Sequence, residues 1–487
     1  RLSTRRRRSR AVRDVQSRVV NDDFTQPLDE LDEEEEFSLE ARQRPSCPIC
    51  QRSISPVELL DADAIADTTI ALVMANSPGW QPASGICLRC AERFTEAQER
   101  LKIRYPSFGH REYKILPTPI RLGASNQYSG KGVTVAFLDS GFYAHPDLVK
   151  PVNRILKYID ITNPRSREDG LYAPDVSSWH GMMTSVVACG NGFLSNGLYR
   201  GIASDANLVL VKCGTARRIV HDDIRRGIDW VIKNRERYGI RIVNVSCGGD
   251  YEAPYLHDAL CLAAERATRA GILVCAAVGN AGHSLEHEVL PPASAPSVLT
   301  VGGLDDKNRL EFADYDMYHS SYGPTIDGLQ KPEVIAPGIW VAAPILPGTP
   351  TSDQAQLLSL LASTPDVQLH GVIAAHPDVD EDLDAALGLD AYLIRHLVEI
   401  KMKDNAVISG SYKHVDGTSF SSPIVASIAA QMLEANPALK PHEVKSILVK
   451  TSTRLPHVPV DRQGWGVVSP KKAVLRAIRA NAAGAEA

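Results

Sequence analysis

Beyond Gly132, short apolar runs alternate with amphipathic stretches, and this alternation constrains the fold more than any other feature of the 487-residue chain. The runs have the length and continuity of strands that are buried on both faces. Alternating strands and helices indicate an α/β fold, with a parallel sheet and helices on both of its faces. The predicted strands are 133–138, 207–212, 242–246 and 272–277, and the predicted helices between them are 224–237 and 256–270.

Four polar residues occupy positions at which such a sheet places its functional groups, near the carboxyl ends of the strands. Asp139 follows the first predicted strand, and Asn280 lies in the glycine-rich turn after the fourth. His180 lies at the start of a predicted helix, and Ser419 precedes the apolar helix predicted over 424–433. Taken singly, each has an ordinary structural explanation as a turn residue, a cap or a packed side chain.

Taken together, the segments around these residues resemble the subtilisin family of serine peptidases. The segment 139–141 reads Asp-Ser-Gly, the segment 180–181 reads His-Gly, and the segment 417–423 reads Gly-Thr-Ser-Phe-Ser-Ser-Pro, with Pro423 at an early helical position. The order Asp, His, Asn, Ser along the chain is also the order of the family. The resemblance covers residues 106–480 and implies a subtilisin-like peptidase domain over 106–487.

The resemblance implies a serine endopeptidase that works through an acyl-enzyme intermediate and needs no cofactor for catalysis. Ser419 would be the nucleophile, His180 the general base, and Asp139 the group that orients the base. Asn280 would stabilise the oxyanion together with the backbone N–H of Ser419. The wall that pairs with a protein or peptide substrate would be formed by Ser246, Cys247, Gly248 and Gly249. The alternative is a catalytically silent subtilase-like protein that binds partners through its cysteine module.

The sequence also departs from the family pattern. Met182 and Met183 occupy the segment in which the family carries a second histidine, and the loop 195–198 lacks a clear match to the family's calcium loop. Asp147 is the candidate ligand if a calcium ion is bound. No typical inhibitory propeptide is recognised.

Two Cys-x-x-Cys pairs precede the predicted peptidase domain. The spacing within each pair lets two thiolates reach one metal ion, and four thiolates form a closed tetrahedral zinc site. A redox-active dithiol is the alternative. The segment 41–105 is therefore predicted to be a small module with structural Zn²⁺, which either binds a protein partner or shields the catalytic domain. The four cysteines are Cys47, Cys50, Cys87 and Cys90.

Composition limits the location and the partners. The net charge is -5, and no basic, aromatic-rich face accompanies the cysteines, so nucleic acid is disfavoured. The chain contains no apolar run of 18 residues, so no membrane partner is expected. Residues 1–40 carry blocks of like charge and are predicted to be a disordered tail. The other five cysteines are scattered, and we see no secretory signal, so a reducing cytoplasmic location is expected.

Two further segments carry hypotheses about substrate selection. Residues 349–406 interrupt the strand–helix pattern with two predicted helices, 353–362, which Ser352 would cap, and 391–402. This insertion is predicted to be a lid or docking element beside the active site, with a passive surface decoration as the alternative. Glu286 and Glu288 follow the Asn280 turn and suggest a preference for basic residues at the cleaved position, unless both are plain surface carboxylates.

Overall fold

A computed structural model describes residues 45–485, apart from 62–63, 78, 105–114, 164, 166, 216, 285–286 and 311–314. The chain from Ser46 onward forms one compact unit. The predicted tail 1–40 lies outside the described residues. Every helix that the structure describes is too short or too polar to cross a lipid bilayer.

The cysteine module contains little regular structure. A two-stranded antiparallel sheet, β1 (Leu59–Leu60) and β2 (Ile86–Cys87), lies beside the helices Asp67–Asn76 and Leu88–Arg104. Its small apolar core also takes in Leu116 and Leu310, so the module packs directly against the rest of the chain. Whether 41–105 and 106–487 are separate folding units stays a prediction.

The centre of the fold is an eight-stranded sheet in which seven strands run parallel. Its spatial order is β10-β8-β7-β6-β3-β5-β4, and the short β9 pairs antiparallel with β8. The predicted parallel α/β sheet is therefore confirmed. In chain order the strands are β3 Thr134–Asp139, β4 Ile155–Asp160, β5 Asn207–Lys212, β6 Ile240–Val245, β7 Leu273–Ala277, β8 Leu299–Asp305, β9 Asp316–Met317 and β10 Val334–Pro337.

Helices cover both faces of this sheet, because alternate residues along each strand point to opposite sides. In β3, Val135 and Phe137 belong to one apolar cluster, and Ala136 and Leu138 belong to the other. Both faces are therefore buried, as the continuous apolar runs predicted. The first face is covered by the helices Ser178–Cys189, Thr418–Ala435, Pro441–Thr451 and Pro470–Ala485, and the second by His221–Tyr238 and Ala259–Arg269.

The predicted helix bounds are wrong in one place that affects the site. The helix predicted over 424–433 is Thr418–Ala435, so Pro423 lies inside it and not at an early position. Ser419 is therefore the second residue of the helix, which begins at Thr418 immediately after Gly417. The short helices Thr118–Arg121, Pro146–Val149 and Val460–Gln463 connect the larger elements.

The insertion is framed by a second, antiparallel sheet of order β11-β13-β12, with β11 Val341–Pro344, β12 Val407–Ser409 and β13 Tyr412–Val415. The side chain of Thr349, rather than that of Ser352, caps the first helix: its hydroxyl accepts from the backbone N–H of Ser352. The insertion has its own apolar core. Its helices are Pro350–Ser363, Leu369–Ala374, Glu381–Ala385 and Ala391–Asp404.

Candidate active site

Asp139 ends β3 at the centre of the sheet, and its side chain is fully buried. Its Oδ1 accepts from the backbone N–H of Ser140 at 2.7 Å and lies 2.8 Å from Nδ1 of His180. Its Oδ2 lies 3.0 Å from the same nitrogen and accepts from the hydroxyl of Thr184 at 3.3 Å. These donors hold the carboxylate in one orientation, facing the imidazole.

His180 lies in the first turn of the helix Ser178–Cys189, close to the end of β3. A Cβ atom on Gly181 would lie 2.1 Å from the carbonyl oxygen of Gly141, so only glycine permits this close approach of helix and strand. Burial by itself lowers the pKa of His180, but the charge and hydrogen bond of Asp139 outweigh burial and place that pKa above its ordinary value. The charged ring is therefore stabilised, as a general base requires.

Ser419 lines the same cleft as His180, a cavity of about 440 Å³. Its hydroxyl donates to the carbonyl oxygen of Ser246 at 3.1 Å. Among the described residues, no hydrogen bond joins Ser419 to His180. The structure therefore brings Asp139 and His180 into direct contact, and it places the Ser419 hydroxyl in their cleft but turned toward Ser246.

Asn280 is oriented by Thr418, the residue before Ser419. The backbone N–H and the hydroxyl of Thr418 donate to Oδ1 of Asn280 at 3.0 Å and 2.8 Å. A backbone N–H can only donate, so this contact fixes which end of the amide is the oxygen. Nδ2 of Asn280 and the backbone nitrogen of Ser419 each lie 3.8 Å from the position that a Cβ atom on Gly417 would occupy. Two donors thus border one space that glycine keeps open.

A buried hydrogen-bond chain anchors the start of the Ser419 helix to the end of β6. The hydroxyl of Ser422 donates to Oδ1 of Asn244 at 2.7 Å, and Nδ2 of Asn244 donates to the hydroxyl of Ser246 at 2.9 Å. That hydroxyl in turn donates to the carbonyl oxygen of Ser419 at 2.8 Å. Pro423 lacks the N–H that would otherwise bond this carbonyl within the helix, so the proline leaves the acceptor available.

Sequence reasoning did not assign roles to Thr184, Thr418, Asn244 or Ser422. All four lie within a few residues of a predicted site residue, so their positions were conspicuous in the sequence. The bonds from Thr184 to Asp139, from Thr418 to Asn280 and from Ser422 to Asn244 span 45 to 178 positions, however, and only the fold reveals them.

Three of the four predicted wall residues line a second cavity, of about 320 Å³, next to Ser419. Ser246, Cys247 and Gly248 line it, but Gly249 is not among its lining residues. The N–H of Gly249 donates to the carbonyl oxygen of Pro291 at 2.7 Å, so this residue supports the wall from outside. Glu288 lines the cavity, whereas Glu286 lies outside the described residues.

The four paired cysteines come together as predicted. The Sγ atoms of Cys47 and Cys90 lie 3.9 Å apart, those of Cys50 and Cys87 lie 3.8 Å apart, and all four lie within 4.8 Å of one another. Sulfur ligands about 2.3 Å from a tetrahedral ion are separated by about 3.8 Å. Hydrogen bonds from the other three thiols place the pKa of Cys47 well below its ordinary value. The cluster therefore has the dimensions of a metal site.

The remaining cysteines are separate thiols. Burial raises the pKa of Cys189 and of Cys261 to about 12, which keeps these groups protonated and unreactive.

Asp147, the candidate calcium ligand, is fully buried, and its carboxylate accepts from the hydroxyl of Tyr412 at 2.5 Å and the N–H of Leu194 at 3.1 Å. Protein donors thus occupy both of its oxygens, and a calcium ion at Asp147 stays a prediction.

Most of the chain is similar to known proteins. The model of the Subtilase family matches residues 130–466. The chain is 31% identical to the serine protease AprX of Bacillus subtilis over 71% of this chain and 67% of that protein. It is 29% identical to subtilisin BL of Lederbergia lenta over 49% of this chain and 74% of that protein. A solved protease structure from Pseudoalteromonas arctica is 21% identical, with a TM-score of 0.49 over 74% of this chain and 94% of that one.

Proposed function

This chain belongs to the subtilase family and is a serine endopeptidase, and on that premise we propose which residues perform each step of hydrolysis. Ser419 is the nucleophile, His180 the general base and later the general acid, and Asp139 the carboxylate that orients the ring. The contact between Asp139 and Nδ1 of His180 carries this proposal. A proton held on Nδ1 leaves Nε2 as the basic nitrogen.

The reaction begins when the Ser419 hydroxyl leaves the Ser246 carbonyl and turns toward Nε2 of His180. The Ser419 oxygen attacks the scissile carbonyl carbon while its proton passes to His180. The tetrahedral oxyanion accepts hydrogen bonds from Nδ2 of Asn280 and the backbone N–H of Ser419. His180 then protonates the leaving amine, which leaves an ester on Ser419. A water molecule, deprotonated by His180, hydrolyses this ester and restores the hydroxyl.

Covalent labelling tests the assignment of the nucleophile. A fluorophosphonate probe should label the wild-type chain, and Ser419→Ala should abolish both labelling and peptide hydrolysis. Ser363→Ala is the matched control, because Ser363 bonds only within its own helix in the insertion. Undiminished labelling of Ser419→Ala would refute the assignment. The matches to the Subtilase family and to serine proteases do not favour the alternative of a catalytically silent binding protein, which predicts no labelling of the wild-type chain.

The cavity beside Ser419 suggests a preference for basic residues at the cleaved position. Glu288 is the only charged side chain among the described residues that line it. Its carboxylate is exposed, so water screens its attraction for a substrate cation and the preference should be modest.

A fluorogenic peptide library that varies the residue before the cleaved bond checks this preference. In Glu288→Gln, kcat/KM for arginine and lysine substrates should fall about five- to tenfold, with aromatic substrates unaffected. Glu236→Gln, which changes an exposed carboxylate on the helix His221–Tyr238, should change neither substrate class. A strong aromatic preference of the wild-type enzyme would rule the idea out.

We also propose that the four clustered cysteines hold a structural Zn²⁺ ion. Their sulfur separations and the closed set of four protein ligands support zinc, which in such sites stabilises the fold and takes no part in chemistry. The module contacts the rest of the chain through Leu116 and Leu310, which favours a shielding or anchoring role. A protein partner for the module stays a prediction.

A reducing, cytoplasmic location is proposed from the cysteines. Outside the cluster, the described cysteines are unpaired, and four of those five are buried. Zinc–thiolate sites and free thiols both persist where glutathione keeps thiols reduced. Cell fractionation with an antibody to the chain checks the location, and recovery from an oxidising compartment would contradict it.

A further inference from the structure

The cleft that contains His180 and Ser419 is closed on its far side by the end of the insertion. This wall is formed by Asp404, the last residue of the helix Ala391–Asp404, and by the next two residues, Asn405 and Ala406. The insertion therefore reaches the cleft of the reacting groups, where it would contact a bound substrate.

The chemistry assigns this wall to the leaving-group side of the cleaved bond. Under the proposed function, the cavity lined by Ser246, Cys247 and Gly248 takes the residue on the acyl side. A shallower depression beyond His180 includes Arg218. It belongs to the acyl side as well, because Nη2 of Arg218 lies 3.4 Å from Oδ1 of Asp250, close to the segment 246–248. The cleft bounded by the insertion shares no residue with either segment, 246–250 or 215–219. Substrate residues released with the amine, after His180 has protonated it, must leave through this cleft.

From the cleft, a groove of about 430 Å³ continues between the helices of the insertion and the small antiparallel sheet that frames it. Ala406 and His414 line both cavities, so the two are continuous. The groove is mostly apolar, although Arg395, Glu399 and Lys403 also line it, and an exposed alanine, Ala362, lies on one side at the end of the helix Pro350–Ser363. Its apolar lining residues are Ile115, Ala362, Val398, Met402, Val407 and Ile408.

Two polar atoms in this groove have no protein partner in the part of the chain that the structure describes. They are Nε1 of Trp340 and Nδ1 of His414, both shielded from solvent, and the two rings are in contact with centroids 4.9 Å apart. Burial lowers the pKa of His414, so its ring is neutral and Nδ1 can accept or donate a hydrogen bond. An extended peptide supplies the carbonyl and N–H groups that such atoms lack.

We propose that the insertion completes the substrate site by forming a leaving-side subsite for an apolar residue of the substrate. The apolar side chain lies against Val398 and Met402. The rings of Trp340 and His414, whose nitrogens are shielded in the unbound protein, turn so that these nitrogens bond to the substrate backbone. This inference rests on the proposed roles of His180 and Ser419, which define the two sides of the cleaved bond. The enzyme would thereby favour long protein segments with an apolar residue after the cleavage site over short peptides.

The test compares two substrates and two tryptophan variants. One substrate is a short peptide arylamide that has no residues on the leaving side. The other is an internally quenched peptide that carries leucine at one of the first four leaving-side positions. It is compared with the same peptide carrying aspartate at that position. Ala362→Trp fills the groove from an exposed position, and Leu360→Trp, exposed on the same helix outside the groove, is the matched control.

At one of the four positions, we expect the wild-type kcat/KM for the leucine peptide to exceed that for the aspartate peptide by at least about tenfold. Ala362→Trp should remove that difference without changing arylamide turnover, and Leu360→Trp should change neither. An unchanged leucine preference in Ala362→Trp would overturn the subsite. A lower melting temperature with unchanged kinetics would show that the groove serves the fold and does not bind substrate, and would also overturn the proposal. Failure of the wild type to cleave the arylamide would instead contradict the proposed catalytic roles.

Discussion

The catalytic centre and the cysteine cluster both gather residues that are far apart along the chain, but they are held together by different means. Asp139 lies on a strand of the large sheet, and His180 and Ser419 lie on two separate helices that pack on it, with apolar cores on both faces of the sheet. The cysteines lie on turns, a two-residue strand and one helix start, around a small core. Several independent contacts therefore maintain the centre, whereas the cluster depends on one set of sulfur ligands.

Because the two regions are stabilised differently, damage to each should have a different consequence. A small apolar core rarely stabilises a segment by itself, and a metal ion commonly supplies the missing free energy. In the catalytic centre, by contrast, removing one polar contact leaves the sheet intact. We therefore expect damage to the cluster to appear as unfolding, and damage to the centre to appear as lost rate.

Removing the metal should produce the largest effect. Structural zinc in small sites contributes on the order of 10 kcal/mol, so a strong chelator should unfold the module and give a separate low-temperature transition in calorimetry. The peptidase part should keep its labelling by a fluorophosphonate at 25 °C. Cys47→Ser should reproduce the chelator effect. Cys261→Ser should not, because this thiol lies outside the cluster beside the hydroxyl of Ser294. Simultaneous loss of labelling would contradict this expectation, because the catalytic centre would then depend on the folded module.

Asp139→Asn should have the next largest effect, a loss of about ten-thousandfold in kcat with little change in melting temperature. An amide cannot hold His180 in the tautomer that a general base needs. The pH profile gives an independent check. Asp139 raises the pKa of His180, and hydrolysis requires the neutral ring, so wild-type activity falls as pH drops through that raised value. Residual activity of Asp139→Asn should persist to lower pH, and an unshifted inflection would contradict this role for Asp139.

Thr418→Val should have a smaller effect, a fall of about tenfold in kcat with KM nearly unchanged. The substitution removes the hydroxyl that donates to Oδ1 of Asn280 but keeps the backbone N–H that donates to the same atom. Nδ2 of Asn280 is then less well positioned toward the oxyanion, which forms only during the reaction. Thr418→Ser keeps the hydroxyl and should restore kcat. Equal losses in both variants would show that Thr418 acts through packing alone.

The sequence predicted the sheet because continuous apolar runs depend on local pattern, whereas the pairing of Asp139 with His180 was implied by the resemblance of their segments to the family. It did not predict that the Ser419 hydroxyl bonds to Ser246. That contact joins residues 173 positions apart and depends on how the helix beginning at Thr418 meets β6. The position of Pro423 was mistaken for a similar reason: the helix begins before the apolar run from which its start was estimated.

The paired cysteines were predictable from spacing, since two-residue separation within a pair is itself a chelating geometry. The location of the insertion against the catalytic cleft was only a hypothesis, because no local pattern states where a helical segment packs. Gly249 shows the same limit on a smaller scale. Its neighbours Ser246 to Gly248 line the cavity, but a bond to Pro291 turns Gly249 away from it.

The smallest predicted effect concerns the insertion, which has a small core like the module but contains no cysteine. Its first helix begins with a bond from the backbone N–H of Ser352 to the hydroxyl of Thr349. Thr349→Ala should therefore lower the free energy of unfolding by about 1 kcal/mol. Ser352→Ala is the matched control: Ser352 was the cap predicted from sequence, but it lies within the helix, where its hydroxyl accepts only from Gln356. Chemical denaturation of both variants measures the difference. A larger loss in Ser352→Ala would restore the sequence-based assignment and show that the insertion is not held by the cap at Thr349.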